Sequence, residues 1–311
     1  MQETGVLVIG SITADVTAFA DRLPSPGETV LGNDVTLVLG GKGANQAVAA
    51  AHFGAPTWMV GCVGQDLFAE LTADGLRQHG VRTDLVRTVA GPTGVAHIRV
   101  DATGQNDIVI TPLANAHLSQ PDVDAALAAL QGQVGVLLLQ LEVRSDITAY
   151  AARAGRAAGL TVILDPAPAV PIPEEVWRDI DIVTPNESEA VLFTGITVTD
   201  AASAEKAAQW FLGRGVRQAI ITLGGLGAVT VEEEQAHLFN PFAVQSIDTT
   251  AAGDAFTGTL GAALAQGADV PAAVRYGMAA GALAVTKPGA SPSLPARQEV
   301  LDLMSTTTLT A

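Results

Sequence analysis

The sequence predicts an α/β protein: a doubly wound, mostly parallel sheet flanked by helices, with a small β-sheet lid. Three observations carry this. Short apolar runs recur along most of the chain, as strands buried on both faces require. Ala-rich stretches with helical spacing separate them, and such alternation is the pattern of a parallel sheet covered on both sides. Two further stretches alternate with a period of two, which marks strands with unlike faces.

The strand candidates, in order, are 6–10, 58–63, 134–139, 160–164, 180–183 and 219–223. Helix candidates lie at 43–53, 67–79, 121–130, 147–157 and 201–212. The period-two stretches are 29–39 and 93–110; in the second, Val95, His97 and Arg99 alternate with Ala96, Ile98 and Val100. Turn formers at 101–106 close that stretch into a hairpin. The lid is drawn from about 12–39 and 93–111. Beyond Ala251 the chain reads as helix, at 254–266, 271–285 and briefly at 297–304. One domain over 1–304 is expected, with a frayed tail at 305–311 that lacks apolar anchors.

A chain of 311 residues with 48% hydrophobic and 15% charged residues buries enough surface to fold without disulfides or structural metals. Its formal charge of −16 repels nucleic-acid backbones and anionic lipid, so neither is an expected partner. The single cysteine, Cys62, allows no intramolecular disulfide. The acidic start, the lack of a basic signal-peptide region and the lack of a membrane-length apolar run point to the cytoplasm. The five histidines show no ligand spacing, Glu232, Glu233 and Glu234 read as a solvated turn, and three tryptophans look too dispersed for a stacking platform.

Neither a Walker A loop nor a G-x-G-x-x-G fingerprint is present, which counts against a dehydrogenase. Small residues at Ala251, Ala252 and Gly253 precede Asp254 at the head of a helix candidate. Converging N–H groups make a helix N-terminus an anion site. Asp254 there either complements the helix dipole or takes a proton from a nucleophile. In GGKGANQAV at 40–48, Gly41, Lys42, Gly43 and Asn45 form either a glycine turn with a solvated lysine or a site for hydroxyls and phosphate. Asn186 and Glu189 form a capping box that explains 184–189 well; alternatively its carboxylates sit near hydrated magnesium. The run at Thr222, Gly224, Gly225 and Gly227 is a hairpin turn or a place where a flat ring or phosphate approaches.

Together these segments resemble the PfkB-type, ribokinase-like sugar kinase family from the first strand to about Pro295. GGKGANQAV at 40–48 is similar to its first signature and DTTAAGDAFTG at 248–258 to its second. PAPA at 166–169, TPNESEA at 184–190, 222–228 and VTKPGASPSLP at 285–295 fall in the matching order. The resemblance implies ATP-dependent phosphorylation of a sugar's primary hydroxyl, D-ribose giving ribose 5-phosphate. Asp254 would then be the general base, with the N–H groups of Ala251, Ala252 and Gly253 as the anion hole. Thr13, Asp15, Gly41, Lys42, Gly43, Asn45 and Glu142 would meet the sugar. Asn186, Thr222, Gly224, Gly225, Gly227 and Gly253 would meet ATP, and Glu187 and Glu189 would stand near Mg2+. A K+ ion would lie among Asp248, Thr250, Ala284, Lys287, Gly289 and Ser293, mostly on carbonyls. Pairing of two lids into a homodimer is implied too.

Two residues depart from the family pattern. Thr13 stands where Asn is usual, which opens 2-deoxyribose, another furanose or a nucleoside as alternative substrates. Met278 stands near adenine where a polar residue is common. A catalytically silent sugar or nucleotide sensor is the competing class; it would have no need of Asp254.

Overall fold

The computed structural model describes residues 4–233 and 235–308. The chain begins with β1 (Gly5–Ile9), β2 (Thr13–Phe19), β3 (Asp34–Gly40), α1 (Lys42–His52), β4 (Thr57–Val63), α2 (Leu67–Gln78) and β5 (Arg82–Thr88). It continues through β6 (Gly94–Val100), β7 (Asn106–Thr111), α3 (Gln120–Ala129), β8 (Val134–Leu139), α4 (Ser145–Ala157), β9 (Thr161–Leu164) and β10 (Ile182–Val183). Next come α5 (Glu187–Thr194), α6 (Ala201–Leu212), β11 (Gln218–Thr222), β12 (Ala228–Glu232) and β13 (Gln235–Phe239). The last elements are α7 (Ala252–Ala265), α8 (Val270–Ala284) and α9 (Arg297–Thr308).

Among the described residues, nine strands form the main sheet in the order β13-β12-β11-β10-β9-β8-β1-β4-β5. The pairs from β5 to β11 are parallel, and β12 and β13 add an antiparallel edge. The strand period sends Leu7 and Ile9 into one apolar cluster, with α3, α4 and α6, and Val6 and Val8 into the other, with α1, α7 and α8. Both faces of β1 are therefore dry, which is why its sequence shows no alternation.

The doubly wound sheet and the separate lid are as the sequence predicts. The lid is a four-stranded sheet in the order β3-β2-β6-β7, and the 101–106 turn joins β6 to β7.

Several local expectations differ. β5 and β13 escape the sequence pattern because they are the edge strands of the sheet, where residues are largely exposed and charged ones such as Arg82, Asp84 and Arg87 intervene. β12, one strand in from the edge and buried over residues 228–231, is a further strand that the sequence pattern did not mark. The strand expected at 180–183 narrows to β10. α9 runs past the expected end at 304, so 305–308 are helical rather than tail; 309–311 lie outside the described residues, as does Glu234 of the acidic turn. Trp177 and Trp210, remote in sequence, meet edge to face at 6.0 Å, with Phe211 against both. They fill core rather than make a platform.

One packing contact positions the site. α7 crosses α1 where Gly258 lies on the backbone of Gln46 and the side chain of Ala49, and a Cβ at 258 would overlap both. That close approach brings the head of α7 beside the first turns of α1.

Candidate active site

The carboxyl ends of β1, β8 and β9 open toward the N-termini of α1 and α7, the usual place for a ligand in an open parallel sheet. Asp254, in the first turn of α7, is 4% exposed. Its Oδ2 accepts from Asn45 Nδ2 at 3.0 Å, and its Oδ1 accepts from Gln46 Nε2 at 3.2 Å and Lys42 Nζ at 3.4 Å. Asp165, immediately after β9, accepts from the same two donors, Gln46 at 2.8 Å and Lys42 at 3.3 Å. Lys42 and Gln46 thus each bridge two carboxylates.

On the lid side, Glu142 Oε2 accepts from Ser11 Oγ at 2.6 Å and from the Lys42 backbone N–H at 2.8 Å. Thr13 donates its hydroxyl to Asp15 Oδ1 at 2.7 Å. Asn45 Oδ1 is buried with no hydrogen-bond partner among the described residues.

The field is strongly negative. Burial works against the charge of Lys42, yet Asp165, Asp254, Glu142 and Glu189 hold its ammonium well above the ordinary range. Burial lifts Asp165 to about 7 against the pull of Lys42, with Glu189 and Asp254 adding to the rise. Burial also lifts Asp15 to about 7; the Thr13 hydroxyl opposes this, and Glu142 and Asp254 reinforce it. A polyphosphate entering among these groups needs an accompanying divalent cation to offset the repulsion.

The second group of predicted residues lies along β10 and β11. Asn186 caps α5: its Oδ1 accepts from the Glu189 N–H at 2.9 Å, while Glu189 accepts from the Asn186 backbone and side chain, both at 2.9 Å. Burial raises the Glu189 carboxyl. A parallel bridge joins Asn186 to Thr222, which brings 186–189 beside the glycine turn after β11. Gly224, Gly225 and Gly253 face open space, since a Cβ on any of them would meet nothing nearer than Glu187 Oε1 at 3.8 Å from Gly224. Gly43 and Gly227 do not. A Cβ at 43 would strike the Ser11 backbone and one at 227 the Phe239 carbonyl, so both are explained by backbone packing, and the 222–227 run is the β11–β12 hairpin.

Ala251 has φ 58° and opens α7. The Ala252 N–H donates to the Thr249 carbonyl at 3.3 Å, a long bond within the turn. Asp248 ties two loops together: its Oδ1 accepts from Thr250 N and Oγ1 at 2.9 and 2.7 Å, and its Oδ2 from Gly289 N at 2.8 Å. Burial opposes its charge, but these bonds hold Asp248 below the usual carboxylate range. Lys287 points its ammonium to Glu299 at 2.7 Å. Ala284 and Ser293 are buried nearby in sequence order. Among the described residues, no three His, Cys, Asp or Glu side chains gather as a metal-ion cage.

Sequence reasoning missed Ser11, Gln46, Gln140 and Asp165. Asp165 carried a signal, an acid directly after a predicted central strand. Gln46 lies inside the 40–48 motif, one residue beyond Asn45.

The fold and this constellation define a carbohydrate kinase. The pfkB family carbohydrate kinase model matches residues 3–297, and the chain belongs to that family. It is similar to a ribokinase of Haemophilus influenzae at 41% identity over 96% of this chain and 97% of that protein. A deoxyribokinase of Salmonella typhi is 34% identical over 96% and 98% of the two chains. The structure of Arabidopsis thaliana ribokinase complexed with ribose and ATP superposes with a TM-score of 0.88 at 35% identity, covering 97% and 99% of the chains.

Proposed function

We propose that this kinase transfers the γ-phosphoryl group of ATP to the primary 5-hydroxyl of D-ribose, giving ribose 5-phosphate. The observation that carries the reading is Asp254: a buried carboxylate at the head of α7, beside the open backbone at Gly253 and facing Asn45. Asp254 accepts the hydroxyl proton as the oxygen attacks. The N–H groups at 251–253 receive the transferred charge, the Ala252 N–H exchanging its long turn bond for an anionic acceptor. Asp15 and Glu142 accept from sugar hydroxyls, and the orphaned Asn45 Oδ1 takes one more. Asn186, Thr222, Gly224 and Gly225 border the nucleotide.

Magnesium fits the negative site because it keeps most of its waters and binds chiefly to phosphate oxygens; Glu187 and Glu189 stand at the start of α5 to hold that water. A potassium ion suits the loops that Asp248 joins, where Thr250, Ala284, Lys287, Gly289 and Ser293 would offer chiefly carbonyls. Two lids pair into a homodimer, supported by apolar side chains left exposed on the lid. A cytoplasmic setting goes with this proposal; no described helix is long and apolar enough to cross a membrane.

A second reading, 2-deoxyribose as the substrate, draws on the deoxyribokinase relative and on Thr13. ADP release measured over ribose, 2-deoxyribose, fructose, arabinose and nucleosides separates the two. Release with none of them would replace both by a sensor. With the best sugar, Asp254→Asn is expected to lower turnover by about 10²–10⁴-fold, the usual contribution of a general base. Near-wild-type turnover in that variant would remove Asp254 as the base.

A further inference from the structure

We propose that Gln140 and Gln46 form a two-amide positioning relay that orients the Asp254 carboxylate, through a nitrogen it shares with Asp165, toward the sugar hydroxyl. This rests on Asp254 being the base. Gln140 Nε2 donates to Gln46 Oε1 at 2.6 Å, and Gln46 Nε2 donates to Asp165 Oδ2 at 2.8 Å and Asp254 Oδ1 at 3.2 Å. An amide nitrogen has two protons, so Gln46 gives one to each carboxylate.

The direction of the chain is determined from the carboxylate end. Turning the Gln46 amide over would aim its oxygen at two carboxylates, and Gln140 would then face an N–H instead of the oxygen it needs. Gln140 is held in turn directly after β8, where its backbone carbonyl accepts from Thr148 Oγ1 at 3.1 Å.

The arrangement leaves a buried group unsatisfied. Gln140 Oε1 is buried without a partner among the described residues, and buried acceptors are rarely left so. The fold also makes room for it, because a Cβ on Gly10 would overlap that oxygen. Both glutamines are inaccessible, at 0% and 1% exposure, so neither can touch the sugar. An apolar pair would pack these positions without an orphan. What the amides add is direction: with Asn45 on Oδ2 and Gln46 and Lys42 on Oδ1, the Asp254 carboxylate cannot rotate, and a remaining lone pair is left for the hydroxyl proton.

The test uses the full-length enzyme, with kcat and sugar KM followed from about pH 5.5 to 9 and melting curves alongside. The groups bearing on Asp254 in this range are Lys42, Asp165, Asp15 and Glu189. Gln46→Met removes the charge-assisted donor that Asp254 and Asp165 share. We expect kcat to fall about 10- to 100-fold, the acid limb of kcat to move up by about one pH unit, and sugar KM to change by less than about threefold.

Gln140→Met keeps the approximate size of the side chain and has no N–H to donate. Gln46 Oε1 then loses the donor that fixes its direction, and the amide no longer holds its nitrogen on Asp165 and Asp254. The acid limb should move in the same direction without contact between residue 140 and any ligand. A lowered melting temperature with the limb unmoved in both variants would mean packing alone and overturn the relay; so would unchanged kcat. Asp254→Asn separates the two layers. If it retains turnover, the base reading fails and the relay with it. If it is inactive while Gln46→Met and Gln140→Met keep the wild-type limb, only the relay fails.

Discussion

Thr13 donates its one hydroxyl proton to Asp15, so toward a sugar it can only accept. Asn at this position would keep amide protons for the ligand. Thr13→Asn should therefore raise the ratio of kcat/KM for ribose over 2-deoxyribose by about 2- to 10-fold, the range of one net hydrogen bond. An unchanged ratio would show that residue 13 takes no part in selectivity. Asp15 itself carries a stability cost. Its folded carboxyl holds a proton up to about 7, against an ordinary value of 3.8. Between those values the folded state binds a proton that the unfolded state has released, so ligand-free stability falls as pH rises through that window. Asp15→Asn should raise stability at pH 8 by on the order of a few kcal/mol, read as a higher melting temperature, and leave it unchanged near pH 4. Equal effects at both pH values would contradict the burial argument.

The α1–α7 crossing turns two helices into one site. Lys42, Asn45 and Gln46 occupy the first turns of α1, and Asp254 the first turn of α7. Their spacing is set where Gly258 meets the Gln46 backbone. Gly258→Ala should force the helices apart, lowering stability by about 1–3 kcal/mol. Turnover should fall at least tenfold, because a small misplacement of reacting groups is costly. Steady-state kinetics and melting measured together would expose the opposite result, a destabilised enzyme with full turnover, in which the crossing does not govern the site.

At the scale of the molecule, the lid stands apart from the main sheet and carries Val35, Leu37, Ile108, Val109 and Ile110 at 40–65% exposure. Register places Asp15 opposite Ala96, and Ala96 opposite Ile110, so Ile110 shares the face of Asp15, the one proposed to cover the sugar. Side chains of this size left exposed on the two edge strands of the lid, β3 and β7, invite a partner. Light scattering at micromolar concentration should give a dimer, and Ile108→Asp with Ile110→Asp a monomer with weakened sugar KM. A wild-type monomer would leave the lid without the covering proposed for it.

Local patterns carried a large share of the result. The strand period of β1, β4 and β8 follows from burial on both faces, and the caps and small residues at 186–189 and 251–254 are legible because helix ends are governed by neighbours a few residues away. The family and the residues Asp15, Lys42, Asn45 and Asp254 could be read from those same short runs. Tertiary structure alone decided what holds them. Gln46 meets Asp165 across 119 residues and Gln140 across 94, and no local period records such a meeting. The same limit hid the edge strands β5 and β13, whose charged or exposed residues suit a solvated margin. It also hid the difference between Gly43 and Gly253, identical in sequence terms but facing backbone in one case and open space in the other. Residue type and spacing determine which elements form; only the order of strands in the sheet and the crossing of α1 with α7 decide which side chains share a proton.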